Sequence, residues 1–282
     1  MPIDFSRIGG STISYRALPL KDALERLSRH GFKTVDIGII PRFCPHYDPL
    51  TATDDLRRGI ADCVAMNGLT VTALNTGPGV FNAPGADVAT TYKAASENFA
   101  LAKALGCRIV TIQNGGGTAV PQAEWMESAR KVAYHLRELT RTAHGMGLAL
   151  SVEVPHHGTL ASDARQASDL LDLIGEGATC TFDTSHIQAG GQTIRQGLAL
   201  LGDRIDHVHL RDARGEDIHV TPGDGDVPFE HLFAWLEERR YAGGIALEIL
   251  PSGDRSPDEV APEVERGRAH IRKALSVRVN SK

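Results

Sequence analysis

Short apolar runs alternate with longer stretches whose apolar residues recur every three or four positions, and the alternation covers most of the chain. The short runs are rich in β-branched residues and bounded by turn formers, the pattern of strands buried on both faces. They predict strands over Ile8–Ser14, Thr34–Gly38, Thr70–Asn75, Arg108–Gln113, Leu148–Glu153, Thr179–Asp183, His207–Leu210 and Ile245–Glu248. The longer stretches read as amphipathic helices. In Leu20–His30 the residues Leu20, Ala23, Leu24 and Leu27 form an i, i+3, i+4, i+7 stripe, and Gly31 supplies the stop. The same pattern predicts helices over Thr91–Leu105, Ala123–His144 and Ser162–Ile174, each followed by Gly, and over Phe229–Arg240 and Pro257–Leu275. Pro121 suits a first helical turn. Strand–helix units of about 35 residues match the βα repeat of a closed barrel. No Pro/Ser/Gly-rich linker breaks the series, so the expectation is α/β: one TIM-type (β/α)8 domain over residues 1–282, with the barrel over about 6–276. An open doubly wound sheet is the competitor, weakened because no Gly-x-Gly-x-x-Gly follows the first strand.

Four apolar runs in the second half each end in a metal-binding residue type: Leu148–Glu153, Ala178–Asp183, Ile205–His209 and Gly244–Glu248. In a TIM barrel the carboxyl ends of the strands build the active site. Glu153, Asp183, His209 and Glu248 would therefore meet on one face. Three buried carboxylates are costly unless a cation neutralises them. The alternative is four separate strand ends, each satisfied by a cap, an Arg or solvent. Four on successive strands favour one shared divalent ion, and the mixed O/N set suits Mn, Mg, Co or Zn.

Composition narrows the function classes. Charged residues are 23% and hydrophobic ones 41% of 282, ordinary for a globular protein. No apolar stretch approaches the roughly 20 residues of a membrane helix, and the N-terminus lacks a signal-peptide core. Cys44, Cys63, Cys107 and Cys180 are scattered without a Cys-x-x-Cys pair, which fits a reduced, cytoplasmic setting. The net charge of −5 argues against tight nucleic-acid binding. The oligomeric state is left open, a homo-oligomer included.

With Val152-Glu153, Phe182-Asp183-Thr-Ser-His186, His207-Val-His-Leu-Arg-Asp212, Pro222-Gly-Asp-Gly-Asp226 with Phe229, and Leu247-Glu248, the chain resembles the xylose-isomerase-like TIM barrels. These include sugar and sugar-phosphate isomerases, epimerases, related dehydratases and, more distantly, apurinic endonucleases. The resemblance implies that Glu153, Asp183, His209 and Glu248 hold one divalent ion. It also implies that Glu153 and Glu248 act on opposite faces of a small carbohydrate, one removing a proton and the other returning it. Without a leaving group the outcome is epimerisation or isomerisation; with one at the β position it is elimination.

His186 would hold a substrate oxygen, its role in the family, or else cap a helix. His156, His157, Arg211, Arg214 and His46 lie on predicted loops of the catalytic face; His156 and His46 are candidate substrate contacts, and Arg211 and Arg214 either bind a substrate hydroxyl or phosphate or form surface salt bridges. His207, two residues before His209, reads as a packed, hydrogen-bonded residue one layer deeper. Asp217 and His219 either bind a second metal with His186, as in the endonuclease branch, or orient the loop or substrate. Gly115-Gly-Gly117 reads as a βα turn rather than a phosphate cradle. Two departures matter: the free-ketose epimerases have a further Glu shortly after the first metal Glu, where this chain has Pro155-His-His-Gly-Thr159. The large xylose isomerases use a Lys that is missing here. The endonuclease branch places His residues after earlier strands, where this chain has Asn75 and Gln113-Asn114.

Overall fold

The structure, a computed structural model, describes residues 3–115, 120–250, 253 and 255–277. Parallel strands β1 Ile8–Ser11, β2 Thr34–Ile40, β3 Thr70–Gly79, β4 Ile109–Asn114, β5 Ala149–Glu153, β6 Thr179–Asp183, β7 Ile205–Leu210 and β8 Gly244–Leu247 pair in sequence order. Strand β8 returns to β1 through Ile8↔Ile245 and Gly10↔Leu247, so the sheet closes into a parallel barrel. The outer helices are α1 Leu20–Arg29, α2 Asp54–Met66, α3 Val88–Ala104, α4 Gln122–Gly145, α5 Ala164–Ile174, α6 Ile194–Leu201, α7 Phe229–Glu238 and α8 Pro257–Ser276. The closed (β/α)8 barrel is the fold that the periodicity predicts. A short helix, Thr184–Ala189, follows β6, and a hairpin of Asp212–Arg214 with Asp217–Val220 follows β7. Among the described residues no helix is long and apolar enough to cross a membrane.

The differences from expectation have local causes. Strand β1 stops at Ser11 because the Ser11 hydroxyl accepts from the Ile13 amide and starts a 3-10 turn over Thr12–Tyr15. Helix α5 starts at Ala164, where the Asp163 carboxylate caps the amides of Arg165 and Gln166. Helices α2 and α6 escape a periodicity reading. The first buries only Ile60 and Val64 on a polar surface, and the second has 8 residues. The Gly115-Gly-Gly117 segment lies partly outside the described residues.

Alternation along the strands divides the barrel into an apolar outside and a polar inside. Val35, Ile37, Val110, Ile112, Leu150, Val152, Phe182, Val208 and Leu210 are buried in the hydrophobic core. Among them stand the equally buried Asp36, Asn75, Thr111, Ser151, Thr181, Asp183, His207 and His209. Strand β7 slips by one residue against β6, from Cys180↔Ile205 to Thr181↔His207. The slip lets Asp206 meet the Ser151 hydroxyl at 2.5 Å while His207 and His209 both reach Asp36.

Candidate metal centre and active site

Glu153 ends β5, Asp183 ends β6, His209 lies near the end of β7, and Glu248 directly follows β8. All four are at least 96% buried, Glu248 being the most exposed at 4%. His209 Nδ1 stands 3.1 Å from Glu153 Oε1 and 3.9 Å from Asp183 Oδ2. Its other nitrogen, Nε2, stands 3.2 Å from Asp36 Oδ2. Burial disfavours charge on this imidazole, but Asp36 and Glu153 outweigh it and raise its pKa well above the ordinary value. In the metal-free chain each nitrogen of His209 thus faces a carboxylate, which favours the protonated ring.

Glu248 is held differently. Its Oε1 stands 3.5 Å from Arg211 Nε, and Arg211 Nη1 stands 3.4 Å from Asp183 Oδ2, so the guanidinium joins the two carboxylates. Asn75 donates to Glu248 Oε2 at 3.3 Å and is itself held by the Thr111 hydroxyl at 3.2 Å. The two glutamates consequently differ in acidity. Burial pushes Glu153 up, but His209 and the nearby His156 and His186 prevail and hold it at about 2. Burial dominates at Glu248 and raises it to about 7 despite Arg211 and His209. Asp183 is lowered below the usual carboxylate range, burial being outweighed by Arg211, His186, His209 and its Ser185 hydrogen bond.

His186 meets the same cluster from the short helix, whose amides at Ser185 and His186 are capped by Asp183 Oδ1. The His157 amide donates to His186 Nδ1 at 3.2 Å, so the ring proton is on Nε2, which has no hydrogen-bond partner among the described residues. Burial, reinforced by His156, takes its pKa well below the ordinary value and keeps the ring neutral. His156 lies over His186 with ring centroids 4.0 Å apart, and its Nε2 is 3.9 Å from Glu153 Oε2.

The remaining candidates lie further out. His46 has both nitrogens engaged, Nδ1 with Thr12 Oγ1 at 3.0 Å and Nε2 with the Leu18 carbonyl at 3.1 Å. Arg214 is exposed and donates to the Asp224 carbonyl. Asp217 and His219 are exposed on the hairpin, and His219 Nδ1 faces the Leu250 carbonyl at 3.1 Å. Among the described residues neither joins a group of metal-ligating side chains. Asp36 carries no local signal in the sequence, and Asn75 and Asp212 stand in it only as motif positions without a role. Asp212 accepts four backbone amides, from Ala213, Gly223, Gly225 and Val227 at 2.9–3.1 Å, and so fastens the Gly-rich loop.

A divalent cation suits these donors. Ligand atoms of Glu153, Asp183 and His186 lie within 4.8 Å of one another, as do those of Asp36, His207 and His209. His209 Nδ1 adjoins the first of these groups and carries a proton that a cation would replace, while its Nε2–H is already held by a carboxylate. Glu248 belongs to neither group; Arg211 links it to Asp183.

The sequence profile of the xylose isomerase-like TIM barrel family matches residues 24–274. An inosose dehydratase of Clostridium perfringens is 26% identical over 187 residues, covering 56% of this chain and 63% of that protein. A D-psicose 3-epimerase of Enterocloster bolteae is 29% identical over 117 residues, covering 40% of this chain and 38% of that one. The chain thus spans less than two thirds of the length of these curated relatives. The crystal structure of the IOLI protein with a bound zinc atom superposes with a TM-score of 0.71 at 19% identity, over 95% of both chains. A barrel closed by β8 on β1, polar within at its carboxyl end, and a family profile over nearly its whole length lead to one assignment: the chain belongs to the xylose isomerase-like TIM barrel family.

Proposed function

We propose that the protein is a divalent-metal-dependent isomerase or epimerase of a small sugar, sugar phosphate or polyol derivative. Glu153, Asp183, His209 and Glu248 hold the ion, with Mn, Mg, Co and Zn all compatible with the donors. The observation that carries the reading is geometric: His209 Nδ1 stands 3.1 Å from Glu153 and 3.9 Å from Asp183 at the carboxyl ends of successive strands, with Glu248 joined to Asp183 through Arg211. When bound, the ion supplies Lewis-acid polarisation of a substrate carbonyl, which acidifies the neighbouring C–H.

The chain's own residues then divide the work. Glu153 and Glu248 approach the carbon beside the carbonyl from opposite faces; one takes its proton and the other delivers one to the opposite face, the roles exchanging in the reverse direction. His186 offers Nε2–H to a substrate oxygen, which explains why that buried donor is unpartnered within the protein. In this reading His156, which lies over His186, and Arg211, which abuts Glu248, contact the substrate. Four free thiols suit a reduced, cytoplasmic setting.

A second reading keeps the site and changes the outcome. The inosose dehydratase relative favours a lyase that eliminates from a keto-sugar, keto-polyol or 3-oxo-glycoside. Endonuclease-like phosphodiester hydrolysis is disfavoured, because Asp217 and His219 are exposed and apart from the metal-ligating groups. The test is incubation of the manganese- or cobalt-loaded protein with ketoses and inososes in deuterium oxide. Deuterium beside the carbonyl with an altered stereocentre supports the epimerase, and loss of water or aglycone supports the lyase. No metal uptake and no exchange with any such substrate would refute both readings.

A further inference from the structure

We propose that Asp36 is the positioning residue that decides which nitrogen of His209 faces the ion. The inference rests on the metal reading above. Asp36 lies in the middle of β2, wholly buried, and its side chain reaches across the barrel to β7. Its Oδ2 stands 3.1 Å from His207 Nε2 and 3.2 Å from His209 Nε2, and its Oδ1 accepts from the Ser11 hydroxyl at 3.3 Å. An ionised carboxylate only accepts, so both rings present Nε2–H to it. His209 then has Nδ1 left, and that nitrogen is the one beside Glu153 and Asp183. Turning the ring over would set a carbon against Asp36 and leave a buried charge unpaired.

The second histidine makes the arrangement stiff. His207 lies nearly perpendicular to His209, at 89° with centroids 5.0 Å apart, and its bond keeps the Asp36 carboxylate from rotating away. Gly244 on the adjacent strand leaves room for this ring, since a Cβ there would fall 2.6 Å from His207 Nδ1. One carboxylate, fixed by Ser11 and His207, thereby sets the tautomer and the aim of His209. A carboxylate behind a metal-binding imidazole typically strengthens metal affinity by roughly 10–100-fold.

The experiment is cobalt(II) titration of the metal-free protein against a competing chromophoric chelator, with melting curves of each metal-free variant. Asp36→Asn, nearly the same shape, is expected to weaken cobalt binding roughly 10–100-fold. Asp36→Ala is the harsher companion variant, and the asparagine form keeps the test valid if the alanine form does not fold. In a His209→Ala background Asp36→Asn is expected to change affinity by less than about twofold, because the route through His209 is gone. An equal loss in both backgrounds would mean a general structural role and overturn the inference. Cobalt bound as tightly by Asp36→Asn as by wild type would also overturn it, leaving the metal reading intact. A wild-type protein that binds no cobalt overturns the metal reading and this inference together.

Discussion

Arg211 reaches Asp183 at 3.4 Å from the same guanidinium that lies 3.5 Å from Glu248, so in the metal-free chain a protein cation bridges two of the carboxylates proposed to hold the ion. All three side chains are almost fully buried. Taking one partner from a buried ion pair leaves an uncompensated charge and costs about 3–5 kcal/mol. Arg211→Met should therefore lower the melting temperature of the metal-free protein sharply, and manganese or cobalt should recover more of it than in wild type. A variant that melts like wild type without metal would show that the guanidinium does not balance these carboxylates.

Glu248→Gln removes the proposed acid and keeps its shape. The expected outcome is a loss of turnover of roughly 10²–10⁴-fold in kcat, with KM nearly unchanged. Steady-state kinetics on whichever ketose or inosose exchanges deuterium checks this, and a change confined to KM would assign Glu248 to binding alone.

Stability of the metal-free protein should depend on pH from both sides. Glu248, raised to about 7, binds its proton more tightly folded than unfolded. Its contribution is full below about 4.5 and is lost as pH rises through 7, on the order of 3 kcal/mol. Asp36 and Glu153, held at about 2, contribute in the opposite sense. Their stability is present above about 4.5 and disappears as pH falls towards 2. Melting temperatures should peak in mildly acidic buffer, and a divalent ion should flatten the alkaline side. A metal-free melting temperature that climbs steadily from pH 5 to 8 contradicts this.

Asp212→Ala strips one acceptor from four backbone amides. Each buried donor left unsatisfied costs roughly 1–3 kcal/mol, less whatever water recovers. The variant should melt several degrees lower, and limited proteolysis should cut first between residues 222 and 227. Cleavage elsewhere would mean that this loop does not depend on Asp212.

Asp217→Ala and His219→Ala should leave the metal content at that of wild type, one ion per chain by elemental mass spectrometry. A fall from two ions to one would restore both residues as ligands of a second metal.

The ring of strands was legible because buried parallel strands announce themselves as apolar runs, and the runs ending in Glu153, Asp183, His209 and Glu248 each carried a metal-binding residue type at the last position. Asp36 was not legible in the same way. Its partner His207 lies 171 residues away, and nothing local distinguishes Thr34-Val-Asp-Ile-Gly38 from other strands. The one available signal was a charge inside a strand buried on both faces, which demands a partner. Loop residues were harder still. His46, Arg214 and His219 sit on the expected side of the barrel, but where their nitrogens point depends on carbonyls of Leu18, Asp224 and Leu250, which no periodicity encodes.

The bond from Asp36 on β2 to His209 on β7 spans the barrel, and Asn75 on β3 reaches Glu248 beyond β8 across 173 residues. Neither half of the chain holds both the ligands and the groups that aim them. In the proposed reading the ligands on β5 to β8 gain the groups that aim them, Asp36 and Asn75, only once β8 has paired with β1, so tight metal capture would report a closed barrel. Loading would then mark the finished molecule.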